Sequence, residues 1–137
     1  MTREKLIVVN ETKGKTSNLP FSLFKKVEKT IKIKEKILGK SYMLNIIFIG
    51  DSRSKKLNQI YRKKNNPTNI LSFPIEKNVG EIYINGKQVK RETKIFNRDF
   101  DNLLIFLLIH GMFHLKGELH GSRMENKEKA VRALFNV

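Results

Sequence analysis

There is no cysteine among the 137 residues. Disulfides and thiolate metal ligands are therefore excluded, and any zinc must be held by nitrogen and oxygen. Long apolar runs are missing too. The longest, LLIFLLI at 103–109, is far short of the ~20 residues that cross a bilayer, so no membrane partner is expected. The opening MTREKLIVVNETKGK has no apolar stretch of signal-peptide length. The expectation is a soluble protein of a reducing compartment, most simply the cytoplasm. Acids are scarce: 13 Asp and Glu stand against 28 Lys and Arg, for a formal net charge of +15 and a pI ≈ 10.1. Such an imbalance points to a polyanionic partner, with nucleic acid first. A coding bias toward Lys, Asn and Ile would also raise the lysine count.

The length fits a single domain over 1–137, large enough to bury a core without staples. KLIVVNE (5–11) reads as a strand, followed by a loop from Gly14 to Pro20. Phe21, Phe24, Val27 and Ile31 then fall near one helical face, with Leu38 extending it and Gly39 as a stop. YMLNIIFIG (42–50) is apolar enough for a central strand. Asp51 or Ser52 can cap a helix that buries Leu57, Ile60 and Tyr61 and ends before KKNNPTN. ILSFP (70–74) reads as a short strand ended by Pro74. GEIYING (80–86) reads as another, closed by an Asn85-Gly86 turn. Asn97 or Asp99 can cap FDNLLIFLLIHGMFHL, which is apolar nearly all round and so predicts a buried helix. Gly117 ends it. Ser122 and Glu125 form a capping box for a last helix carrying Met124, Val131, Leu134 and Phe135. The order predicts an α+β fold: a small mixed sheet of about four strands packed against several helices.

All three histidines of the chain lie in HGMFHLKGELH, residues 110–120. His110 and His114 are four apart, so a helix puts them on one face a turn apart. Gly117 breaks that helix, and the chain can return His120 to the same point. Three neutral imidazoles with an open fourth position describe a catalytic metal site. Zinc leads on ligand type, although iron, nickel and copper also accept imidazole. The spacing matches the metzincin proteases, H-E-x-x-H-x-x-G-x-x-H. Gly111, however, stands where they carry the glutamate that takes a proton from the attacking water. Peptide hydrolysis is therefore disfavoured.

HGMFHLKGELH resembles the H-G-x-x-H-L-x-G-Y-D-H pattern of the YbeY family, bacterial rRNA maturation factors and endoribonucleases. LNQIYRKKNNPTNILSFPIE (57–76) is similar to the family's N-x-x-Y-R-x-K-D-x-P-T-D-V-L-S-F-P block, and GEIYIN (80–85) to its G-D-I-x-I strand. The resemblance implies a zinc-dependent hydrolase of single-stranded RNA. It further implies action on rRNA of the small ribosomal subunit, in maturation of the 16S 3′ end and in ribosome quality control. It makes His110, His114 and His120 the zinc ligands and Arg62 the functional arginine near the metal. The chain departs from the family in Glu118-Leu119, which replaces Y-D, and in Asn65 or Asn66 and Asn69, which replace the acids flanking P-T.

On this reading, zinc would polarise a phosphodiester oxygen or activate a water, and Arg62 would carry the charge growing on the non-bridging oxygens. Lys63 and Lys64 are expected as RNA phosphate contacts. Glu81 and Glu118 are the nearest candidate acids, and the strand around Ser72 should line the site. Gly111 would leave room for bulky RNA, or would serve close helix packing. Two other readings compete. One is a ribosome-associated RNA-binding factor whose metal is structural. The other is a zinc hydrolase of a small substrate, which leaves the charge unused.

Overall fold

The computed structural model describes residues 2–12 and 26–137. The expected loop at 14–20 and the expected helical positions Phe21 and Phe24 lie outside them. The described residues form five strands: β1 (Thr2–Arg3), β2 (Leu6–Asn10), β3 (Met43–Ile49), β4 (Ile70–Glu76) and β5 (Val79–Asn85). They form one mixed sheet in the order β1-β2-β3-β5-β4. β3 runs parallel to both of its neighbours, β2 and β5, while β4 and β1 pair antiparallel at the two edges. A strand buried on both faces should be apolar throughout, and β3, MLNIIFI, is nearly so.

The period of two along these strands separates two cores. Leu44, Ile46 and Phe48 of β3 and Ile82 and Ile84 of β5 join the larger cluster. It lies under helices α1 (Val27–Ile37), α3 (Gly86–Glu92), α4 (Phe100–Leu115) and α5 (Ser122–Leu134). Ile47 and Ile49 point the other way and meet Leu57 of α2 (Asp51–Arg62), with Leu71, Phe73 and Tyr83 around them. Ten of the residues of α4 are buried, as expected for a helix without a polar face. α1 crosses α4 and buries Lys34 completely. Its ammonium donates to the carbonyls of Tyr42 (2.8 Å) and Lys40 (3.3 Å), so the buried donor is matched.

Several local expectations are revised. β4 runs through Pro74 to Glu76, because an edge strand tolerates a missing N–H, and its register shifts between Pro74 and Glu76. Asn85 does not open a hairpin turn. Its side chain accepts from the Gln88 N–H and starts α3, a short helix the dipeptide pattern concealed. Gly50, and neither Asp51 nor Ser52, is the N-cap of α2. The Asp51 carboxylate instead takes Asn85 Nδ2 at 2.9 Å and a bidentate pair from Arg91 at 2.9 and 2.6 Å. Ile60 and Tyr61 remain exposed on α2. Gly121 caps α5, and Ser122 is its first residue, so the capping box is not formed. Leu134 is exposed as well. For α4 the expectation of Asp99 is met: its carboxylate accepts from the Asn102 N–H at 2.8 Å.

Candidate metal centre

α4 ends in a manner that determines where the histidines meet. Gly117 adopts φ +94°. Its N–H donates to the His114 carbonyl (3.0 Å), and the next N–H, of Glu118, reaches back to Phe113 (3.1 Å). These are the two bonds of a Schellman motif, which needs a left-handed residue after the helix. The reversal brings His120 back beside the last turn of α4. One ligand atom from each of His110, His114 and His120 then lies within 4.8 Å of the other two.

The donor set fits a metal ion on its own geometry. Nε2 of His110 and Nε2 of His114 stand 3.0 Å apart. Two nitrogens on one tetrahedral zinc, each at about 2.0–2.1 Å, are roughly 3.3–3.4 Å apart. On the other side of the His110 ring, Nδ1 lies 2.6 Å from Oε1 of Glu128, a residue of α5 only 7% exposed. With a carboxylate as acceptor, Nδ1 carries the proton and Nε2 keeps its lone pair for the shared point. A carboxylate behind a histidine is the usual way of fixing tautomer and ring orientation at a metal. Burial is the first cause that pushes the His114 pKa down to about 4, and the charges of His110, His120 and Arg62 add to it. His114 is therefore neutral at pH 7, the form that binds metal.

The histidines open into a cleft of about 880 Å³ whose wall also includes Arg62, Lys64, Asn69, Ser72, Phe96 and Phe106. Arg62 ends α2, and Lys63 follows in a left-handed conformation, φ 57°. That turn directs the chain so that Lys64 lines the cleft and Lys63 does not. No carboxylate lines it among the described residues. Both acids considered from sequence are placed elsewhere. Glu81 accepts from the Tyr83 hydroxyl (3.2 Å) on the far face of the sheet, and Glu118 is bound by Lys127, which lowers its pKa.

Gly111 belongs to packing. A Cβ there would lie 2.8 Å from Ser72 Oγ, 3.0 Å from Ile70 Cδ1 and 3.2 Å from Ile82 Cδ1. The absent side chain lets α4 rest on β4 and β5, and Gly111 also lines the cleft beside the histidines. Glu128 is the site residue that sequence reasoning missed. The signal was present, because Met124, Glu128 and Val131 occupy one helical face and all are buried. An acid in that row needs a buried partner.

The model of the family described as Endoribonuclease YbeY matches residues 8–134. The chain belongs to the YbeY family. Endoribonuclease YbeY of Malacoplasma penetrans is 35% identical over 118 residues, covering 81% of this chain and 78% of that protein. The Thermotoga maritima protein of the same name is also 35% identical, over 85% of this chain and 76% of its own length. The Thermodesulfovibrio yellowstonii YbeY is 42% identical over 85 residues, which span 57% of this chain and 54% of that protein. A solution structure from Thermotoga maritima superposes with a TM-score of 0.65 at 29% identity, over 96% of this chain and 89% of that one. The α+β YbeY fold is thus shared. No helix among the described residues is long and apolar enough to cross a membrane.

Proposed function

We propose that this chain is a zinc-dependent endoribonuclease that cuts single-stranded RNA. Its substrate is rRNA of the small ribosomal subunit, where it acts in the cytoplasm on 16S 3′-end maturation and ribosome quality control. Membership of the YbeY family supports RNA cleavage. The observation that carries the reading is the cleft itself. Three converging imidazoles share it with Arg62 and Lys64, and among the described residues no acid lines it to repel a polyanion.

His110, His114 and His120 would hold the ion, which supplies Lewis-acid polarisation of a phosphodiester oxygen. The chain's own groups do the rest. Arg62 offers a planar, permanently charged donor pair to the non-bridging oxygens as their charge grows. Lys64 holds a neighbouring phosphate. Glu128 keeps the His110 ring aimed. Without a carboxylate in the cleft, the route that asks least of the protein is attack by the RNA's own 2′-hydroxyl on the adjacent phosphorus: the P–O2′ bond of a 2′,3′-cyclic phosphate forms, the P–O5′ bond breaks, and the hydroxyl proton passes through water to the departing 5′-oxygen. Lys63, outside the cleft, is left to meet more distant phosphate.

The test is cleavage of a single-stranded RNA by highly purified protein. Arg62→Ala is expected to keep metal and fold and to lose about 10²–10³-fold in rate. His114→Ala is expected to lose both zinc, by elemental analysis, and cleavage, while RNA affinity remains. Equal cleavage by wild type and His114→Ala would assign the activity to a contaminant and leave an RNA-binding factor.

A further inference from the structure

Two phenylalanines stand at one end of the cleft, away from Arg62 in sequence. Phe106 lies on α4 one turn before His110. Phe96 comes from the turn between α3 and α4, and its ring sits 5.8 Å from that of Phe106, tilted by 54°. Both line the same cleft as the histidines. Phe96 is 39% exposed, although a ring of that size is normally covered in a core. Two guanidiniums lie over the Phe106 ring, Arg98 in an adjoining hollow shared with Phe96 and Arg132 in one shared with His110 and His120. Arg98 lies 4.2 Å and Arg132 4.8 Å from the centroid of Phe106. Arg98 donates to the side-chain carbonyl of Asn102.

Neither arginine forms an ion pair with a carboxylate among the described residues. The nearby acids are committed elsewhere: Asp99 to the cap of α4, Glu125 to Lys129 at 3.5 Å and Glu128 to His110. Burial first, and then the charge of Arg132, push the Arg98 pKa down. An exposed aromatic face beside two uncompensated guanidiniums is the complement of a nucleotide, which has a flat base and an adjoining phosphate.

We infer that Phe96, Phe106, Arg98 and Arg132 form a nucleotide subsite next to the metal centre, in which an unpaired base stacks on Phe96 and the two arginines hold its phosphate. The inference rests on the cleft being an RNA site and deepens that reading. A base can lie on Phe96 only after leaving a helical stack, so the subsite selects single strands. Stacking on a ring is tolerant of base identity, so this end of the cleft selects unpaired character without fixing sequence.

The chain contains no tryptophan, so Phe96→Trp introduces a single fluorophore at the subsite. The probes, applied to the full zinc-loaded chain, are a short 2′-O-methyl RNA strand, which cannot attack itself, the same strand with abasic positions, and its duplex. The base-bearing strand should quench the Phe96→Trp emission, and the abasic strand and duplex should not. In anisotropy titrations with the labelled base-bearing strand, Phe96→Ala should bind about 5- to 100-fold more weakly than wild type. The abasic strand should be bound equally by both. Arg98→Gln with Arg132→Gln should flatten the dependence of log affinity on log salt by roughly 0.7 for each phosphate that is no longer held. Strand binding with unchanged Phe96→Trp emission, or equal affinity of Phe96→Ala and wild type, would remove the subsite and leave the RNA reading standing. Failure of wild type to bind any strand would remove both.

Discussion

Replacing Glu128 tests whether the metal centre extends beyond its three imidazoles. The carboxylate is nearly buried and its oxygen lies 2.6 Å from Nδ1 of His110, the distance of a strong charge-assisted bond. Glu128→Ala leaves the ring free to turn and to exchange tautomers, so part of the binding energy goes into holding it. Loss of such an outer partner weakens metal affinity by about 10- to 100-fold, or about 1.4–2.7 kcal/mol. Burial favours the upper half of that range, since little water can replace the carboxylate. Glu128→Gln retains an acceptor without charge, and neutral bonds have roughly half the strength. A loss of about 3- to 10-fold is expected for it. Glu125→Gln, on the same helix but paired with Lys129 in the open, serves as the control and should bind as wild type. The assay is competition for zinc against a chromophoric chelator at fixed pH, with circular dichroism to show that each variant is folded. If Glu128→Ala bound zinc as tightly as wild type, the carboxylate would have no part in the centre.

Two further outcomes follow from residues that offer no ligand atom. Gly111→Val should lower stability by about 1–3 kcal/mol in urea melts through overpacking, since even a Cβ meets Ser72 and Ile70 at 3.0 Å or less; a variant as stable as wild type would show that α4 has room to move off the sheet. Hydrogen bonds from Arg91 and Asn85 lower the Asp51 pKa to about 2, below its unfolded value of about 3.9. Its contribution is therefore present above the unfolded value and is lost as pH falls toward 2. Asp51→Asn should flatten the fall of the urea midpoint between about pH 5 and 2, and an unchanged acid limb would remove this pair from the pH response.

What could be read from the sequence was what depends on near neighbours along the chain. The i,i+4 spacing of His110 and His114 and the break at Gly117 foretold a convergence that the Schellman bonds produce. The apolar character of 100–115 foretold a buried helix. Caps were legible where the side chain had no other partner, as at Asp99. They were misread where a distant residue competed: Asp51 looks like a cap until Arg91, forty positions on, takes its carboxylate. Asn85-Gly86 looked like a turn because the same residues suit turns and helix starts alike. Glu81 and Glu118 are the nearest candidate acids along the chain, but strand alternation sends Glu81 to the other side of the sheet. Glu128 was hidden for the opposite reason, because its partner His110 lies eighteen positions away.

His120 and Glu128 both lie beyond the reversal at Gly117, and both return to the histidines of α4. The C-terminal helix is thus fastened to the site from two directions, once through His120 just before it and once through Glu128, which holds the His110 ring. Whatever binds the three imidazoles closes a loop from 110 to 120, and the Glu128 contact with His110 extends the tie to 128. Occupancy of the centre and the folding of α5 then become one linked equilibrium. An ion present at 100 times its dissociation constant adds about 2.7 kcal/mol to the folded side. The last helix, which contributes no ligand of its own, is thereby coupled to metal supply through Glu128.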